Sequence, residues 1–210
     1  MYKKLMLIVL SVVTIQAAEA QTEKGSQNLG ATFGVSVTNS NTRYDNISNN
    51  SNGKLTTYSI APSYSYFIAD KLDIGASIGY SYSNQKYDPV VNGQIQQRNE
   101  SYAADIFLRK YFLFDNKIGI RTGPYLDFQK MKQKYTYTSS LNNNGTDSYG
   151  GGLKMDFVFY PAKNIGLAAT MANLGYRHDK YNGDTLGDAN SFQLNFVNSI
   201  LFSVYYVFGK

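Results

Sequence analysis

The sequence predicts an all-β chain, an eight-stranded antiparallel up-and-down transmembrane β-barrel. Three observations predict it. Large apolar residues alternate with small or polar ones in eight long runs. The connections between runs are alternately long and short. Aromatic residues on the apolar face fall at two heights when neighbouring runs are folded as hairpins.

The first run places Leu29, Ala31, Phe33, Val35 and Val37 on one face, with Gly30, Thr32, Gly34, Ser36 and Thr38 on the other. The second has Tyr58, Ile60, Pro62, Tyr64, Tyr66 and Ile68 against serines and an alanine. The third sets Leu72, Ile74, Ala76, Ile78, Tyr80 and Tyr82 against Asp73, Gly75, Ser77 and Gly79. The fourth carries Tyr102, Ala104, Ile106, Leu108 and Phe112, with Lys110 as an exception on that face. The fifth carries Ile118, Ile120, Leu126 and Phe128, and the sixth Leu153, Met155, Phe157 and Phe159. The seventh begins with Ile165, Leu167, Ala169 and Met171, and its phase slips near Asn173, as a β-bulge would produce. The eighth is the longest, from Phe192 to Phe208, and is broken only by Asn198.

A soluble sandwich shares the alternation, because one sheet face stands in water. Its strands usually run about 5–6 residues. These runs continue for roughly ten or more, the length a tilted membrane strand requires. The connections at 69–71, 113–116 and 161–164 are short, whereas 39–54, 84–99, 130–148 and 177–190 are long. Four long extracellular loops over tight periplasmic turns are therefore expected. A hairpin centred on Asp70 sets Tyr58 opposite Tyr82 and Tyr66 opposite Ile74. One centred on Asp115 sets Tyr102 opposite Phe128. At ~3.4 Å per residue and a tilt of about 45°, twelve residues climb ~29 Å, so these rings mark the two faces of a bilayer. Pro62 and Pro124 fall mid-strand and remove ladder hydrogen bonds, so a bulge or a one-residue slip is expected at each.

Residues 1–20 read as a cleaved signal peptide, leaving 21–210 as one barrel domain. Lys3 and Lys4 form a positive start, Leu5 to Val13 an apolar stretch too short to span, and Ala18-Glu19-Ala20 a cleavage site. Without them the chain keeps 18 basic and 14 acidic residues, spread along its length, which gives nucleic-acid binding little support. There is no cysteine, hence no disulfide, thiolate chemistry or lipoprotein anchor. No metal-ligand cluster or phosphate-cradling loop is present, and no cofactor is expected.

The segment Ile60-Ala61-Pro62-Ser63-Tyr64-Ser65-Tyr66-Phe67-Ile68, the stretch Leu108-Arg109-Lys110-Tyr111-Phe112 and the aromatic end Val204-Tyr205-Tyr206-Val207-Phe208 resemble the small outer-membrane β-barrel superfamily. The likeness is to its OmpA-transmembrane and OmpX type, in a form common in Bacteroidetes. That resemblance implies a Gram-negative outer-membrane location and a monomer. It also implies that the barrel-assembly machinery reads the last strand, here followed by Gly209 and Lys210. The superfamily includes adhesins, structural proteins, narrow pores and a few enzymes, so architecture alone does not select a role.

The candidate residues lie on two surfaces. Asp105, Arg109, Arg121, Asp127, Lys154 and Asp156 share the small-residue face, hence the lumen, with Arg109 expected to face Arg121 across the Asp115 hairpin. They could line a narrow porin-like channel. The favoured reading is a charge-paired plug, since eight strands enclose just enough room for side chains and buried charges must be paired. Lys130, Lys132 and Lys134 continue the outward face beyond Phe128, where they would either contact lipopolysaccharide phosphates or form an ordinary solvated loop base. His178, followed by Asp179 at the start of the last long connection, is the one residue that suggests a lipid-modifying enzyme. No nucleophile or oxyanion donor is identifiable beside it, and no enzyme is expected. The leading expectation is a structural or surface-interaction protein presenting four loops, with outer-membrane lipids and lipopolysaccharide around it and an extracellular partner the sequence does not name.

Overall fold

The computed structural model describes residues 21–43, 50–88, 95–137, 140–183, 186–196 and 202–209. The expected signal peptide, residues 1–20, lies outside them. Nine strands are present among the described residues: β1 (Gln27–Arg43), β2 (Asn50–Ala69), β3 (Leu72–Asp88), β4 (Ile95–Phe114), β5 (Ile118–Tyr137), β6 (Ser140–Ala162), β7 (Ile165–Gly183), β8 (Gly187–Phe196) and β9 (Phe202–Phe208). Each of β1 to β7 pairs antiparallel with the next. β7 then pairs with both β8 and β9, and β9 pairs with β1 to close the ring. β8 and β9 therefore share the eighth position. The single long eighth run expected from sequence is divided there, and Asn198 and Ile200 lie outside the described residues.

Period-2 alternation decides which side chains meet lipid. Asp73 is 0% exposed while its neighbour Ile74 is 50% exposed, the inverse of a water-soluble protein. Leu29, Phe33, Ile60, Ile78, Ile106, Leu126, Phe157 and Leu194 are exposed in the same way around the ring. A wall this apolar is a defect in water and a requirement in a bilayer. The ring closes through β9 over Gln27–Phe33, while β8 is laddered to β7 alone among the described residues. Lys110, the exception on this face, donates from Nζ to the backbone oxygen of Asp70 at 3.2 Å, carrying its charge to the short-turn end.

The first hairpin has the expected register, with Tyr58 opposite Tyr82 and Tyr66 opposite Ile74. The second does not. Its turn, residues 115–117, places Phe114 opposite Ile118, so Tyr102 faces Lys130 and Ala104 faces Phe128. Moving a hairpin centre by one residue moves every partner by two, and each side chain keeps its face. Asp115 and Asn116 take positive φ (46° and 53°) in this turn, which short polar side chains tolerate. Aromatics still meet across the ladder at the outer level, with ring centroids 5.3 Å apart for Tyr80–Tyr102 and 5.1 Å for Phe128–Tyr149.

Neither central proline sits at a register shift. β2 stays continuous with β1 through Pro62, and its ladder to β3 skips from Ile60–Tyr80 to Ser63–Ser77 without a change of register. Pro124 repeats this, continuous with β6 and skipped on the β4 side between Phe107–Tyr125 and Lys110–Thr122. A missing N–H needs only a local gap on one side of the strand. The slip in β7 is a bulge at Met171, between the pairs Asp156–Thr170 and Met155–Ala172, two residues before Asn173.

The four long connections are largely strand. β1 to β7 run 17–23 residues, against about 9–11 needed to cross a bilayer. Most of the stretches expected as loops therefore continue the ladder. Amide and hydroxyl side chains bridge the upper rungs, as in Gln96 Nε2 to Asn84 Oδ1 (2.8 Å) and Asn99 Nδ2 to Ser83 Oγ (3.1 Å). Residues 44–49, 89–94, 138–139 and 184–185, which join the paired strands, lie outside the described residues.

Candidate functional site: the lumenal network and the outer wall

Inward side chains of β3 and β4 form the first centre. Asp73 stands directly opposite Arg109. Arg109 donates from Nε to Oδ1 at 3.0 Å and from Nη2 to Oδ2 at 2.5 Å, a two-pronged ion pair. Ser65 Oγ (2.7 Å) and Tyr111 Oη (3.0 Å) also donate to Asp73 Oδ2. The Arg109 guanidinium lies 3.8 Å from the centre of the Phe107 ring, which covers the face not used for hydrogen bonds.

Arg121 of β5 and Asp156 of β6 form the second, again directly opposite one another. Arg121 Nε donates to Asp156 Oδ2 at 2.7 Å, Thr170 Oγ1 donates to Oδ1 at 2.9 Å, and Arg121 Nη2 donates to Tyr205 Oη. Tyr111 joins the two centres. Its hydroxyl donates to Asp73 and accepts from Arg121 Nη1 at 3.4 Å. Tyr205 reaches the network from β9 across Gly30, where any Cβ would lie within 3 Å of its ring. Both carboxylates and Arg121 are buried.

Toward the short-turn end the lumen turns apolar. Phe67, Val158, Tyr160, Ala168 and Val207 point inward and are buried beneath the charges. Residues 21–26 close this floor from below. Gln21 Nε2 donates to the Ala162 oxygen at 2.7 Å, Lys71 N to the Thr22 oxygen at 2.7 Å, and Gly25 N to the Phe67 oxygen at 2.9 Å. The β2–β3 hairpin and the end of β6 are thus tied to one short segment. The small-residue lumen read from the sequence omits this floor.

Of the six lumenal candidates, Arg109, Arg121 and Asp156 join the network, but Arg109 does not face Arg121. In the observed register Arg121 is opposite Tyr111, and Arg109 is satisfied sideways by Asp73. Asp127 lies nearer the opposite end, 3.0 Å from Arg177, which also donates to Gln129 Oε1 at 2.6 Å. Asp105 accepts from Ser77 Oγ at 2.5 Å. Lys154 stands 4.9 Å from the Tyr125 ring centre. Asp105, Lys154, Arg109 and Arg121 border a cavity of about 230 Å³ on the outer side of the network. The sequence reading missed Asp73, Tyr111 and Tyr205 as members of the network, and Arg177 as the partner of Asp127. Asp73 carried a signal, as the one acid on the small face of its run.

Lys130, Lys132 and Lys134 are exposed on the outward face of β5, in strand rather than loop. Lys130 Nζ is 3.6 Å from Asp147, Lys132 stands opposite Glu100, and Lys134 opposite Arg98. His178 is also in strand, paired with Tyr149 and Asn190 on the outward face. Its Nδ1 lies 2.8 Å from Asn190 Oδ1, which accepts from Tyr176 Oη as well.

No family model and no curated protein matches the sequence. Similar solved structures include several outer-membrane proteins. Ail, the attachment invasion locus protein of Yersinia pestis, is 14% identical over 88% of this chain and 99% of its own, with a TM-score of 0.47. OprG from Pseudomonas aeruginosa is 12% identical over 90% and 98%, at 0.44. A major outer membrane protein from Thermus thermophilus is 10% identical over 88% and 99%, at 0.48. The likeness is loose, and the closed eight-position ring with its apolar belt establishes the architecture by itself. The fold is an antiparallel up-and-down β-barrel with eight strand positions and an apolar outer belt.

Proposed function

We propose that the protein is a Gram-negative outer-membrane barrel with a structural or surface-interaction role, acting through its walls and extended outer hairpins rather than by conducting solutes. One observation carries this reading. The Tyr111 hydroxyl couples the Asp73–Arg109 and Arg121–Asp156 pairs into a single partition across the lumen, above an apolar floor. An ion crossing it would have to separate buried opposite charges, which costs several kcal/mol.

The short turns then face the periplasm and the long hairpins the exterior. Outer-leaflet lipids and lipopolysaccharide surround the belt, and the chain works as a monomer. The last strand serves as the signal to the barrel-assembly machinery, with Tyr206 and Phe208 stacked on the outer wall at 6.3 Å. His178 and Asn190 belong to the aromatic level of that wall, and we assign them no catalytic part.

Planar-bilayer recordings of the refolded barrel test the proposal. No stable open state is expected. A steady conductance that disappears when Arg109 or Asp105 is neutralised would overturn it in favour of a narrow channel, the reading that the cavity beside those residues supports.

A further inference from the structure

The outer wall carries four cations that the ladder sets side by side. Lys54 on β2 is directly opposite Lys86 on β3, and Arg98 on β4 is directly opposite Lys134 on β5. Lys86 faces Gln96, which makes Arg98 its diagonal neighbour, about 7–8 Å away. All four are exposed and share the face of the belt. Lys54, Lys86 and Arg98 each stand four residues outward of a girdle tyrosine, respectively Tyr58, Tyr82 and Tyr102. Four residues at ~3.4 Å and a tilt of about 45° raise the row ~10 Å above the girdle, at the outer edge of the headgroup layer.

Like charges directly opposite on a ladder repel, and native sheets normally set an acid between them. Other cations at this level of the wall do so. Lys132 faces Glu100, Lys130 lies 3.6 Å from Asp147, and Lys180 is opposite both Asp147 and Asp188. Among the described side chains no ion pair joins any of the four to an acid, and the acid nearest Arg98 and Lys134 on this face, Glu100, stands directly opposite Lys132. Among the described side chains Arg98 donates to the neutral Gln96 Oε1, at 3.2 Å. Two directly opposed like-charge pairs over an apolar wall match an anion that is carried on a lipid.

We propose that Lys54, Lys86, Arg98 and Lys134 form a binding row for the phosphate groups of outer-leaflet glycolipid. The proposal rests on the outer-membrane reading above. Beneath the row the acyl chains lie against Ile60, Ile78 and Tyr80, which favours a lipid-borne phosphate over a free one. Of the three lysines expected from sequence to meet lipopolysaccharide, only Lys134 belongs to the row, because Lys132 and Lys130 stand directly opposite acids, Glu100 and Asp147.

The test uses the full barrel refolded in zwitterionic detergent, with bisphosphorylated lipid A, its dephosphorylated form and inorganic phosphate as probes. The readouts are binding and the temperature at which the folded gel band disappears. Wild type should bind the bisphosphorylated lipid about tenfold or more tightly than the other two probes, and the double variant Lys86→Gln, Arg98→Gln should lose that margin. Lys130→Gln with Lys132→Gln should keep it. The row variant should be more heat-resistant than wild type without lipid, where repulsion is relieved, and less so with it. Equal binding of both lipids by wild type overturns the row, as does unchanged binding in the row variant. Loss in the Lys130, Lys132 variant alone would return the contact to those residues. Inorganic phosphate bound as tightly as lipid A would overturn the lipid source. A chain soluble without detergent and lacking a heat-sensitive folded band would instead remove the membrane reading itself.

Discussion

The two ends of the lumen are closed by different chemistry. At the short-turn end, two buried ion pairs lie on an apolar floor held from below by residues 21–26. At the opposite end the Asp127–Arg177 pair is part-exposed, with 36% of the arginine side chain open, and neutral amides and hydroxyls bridge the rungs, as in Asn99–Ser83 and Gln129–Ser101. Both are built on the same inward face of the same strands. What differs is how much water each charge keeps, and that sets what each pair is worth. A buried charge deprived of its partner is penalised heavily, whereas an exposed one is rehydrated.

The largest effect should therefore come from breaking the lower centre. Asp73→Ala leaves the largely buried Arg109 guanidinium without its counter-charge and should cost about 3–5 kcal/mol, read as the urea-unfolding midpoint of the barrel in lipid vesicles. Replacing both partners by leucine should cost much less, since no orphaned charge remains. If single and double variants lose the same stability, the pair is not a closed electrostatic unit.

Next comes the link between the two centres. Tyr111→Phe keeps the ring in the floor and deletes the hydroxyl that serves Asp73 and Arg121 together. A loss of about 1–3 kcal/mol is expected, the range for a buried polar partner left unsatisfied. A loss below ~0.5 kcal/mol would mean that the two ion pairs stand independently.

The sequence made the faces legible but not the partners. Arg109 and Arg121 could be placed inside because parity survives a mistaken hairpin centre, while the pairing of one with the other could not survive it. The bulge at Met171 reverses parity in the outer part of β7. That slip was legible, but Arg177 opens a polar stretch without an apolar period and so fell in an expected loop, although it is the inward partner of Asp127. The floor was hidden for another reason. Tyr111-Phe112-Leu113-Phe114 and Phe157-Val158-Phe159-Tyr160 are apolar on both faces. Alternation cannot separate a lipid-facing residue from an inward one in such a stretch. The outer rungs were unreadable as strand because hydroxyl and amide side chains pair without any apolar period.

The smallest effect sharpens the comparison most. Arg177→Ala removes a pair of the same composition as Arg121–Asp156, at 3.0 Å, in the part of the lumen that retains access to water. Exposure lets solvent replace the lost partner, so the cost should stay below about 1 kcal/mol. It should fall further as salt is raised, which leaves the Asp73 variant unchanged. A double-mutant cycle with Asp127→Ala isolates the coupling from the packing of the arginine stem. A coupling near 3 kcal/mol would show that the extended outer hairpins exclude water as well as the floor does. The lumen would then be dry from end to end, and the contrast between its halves would vanish.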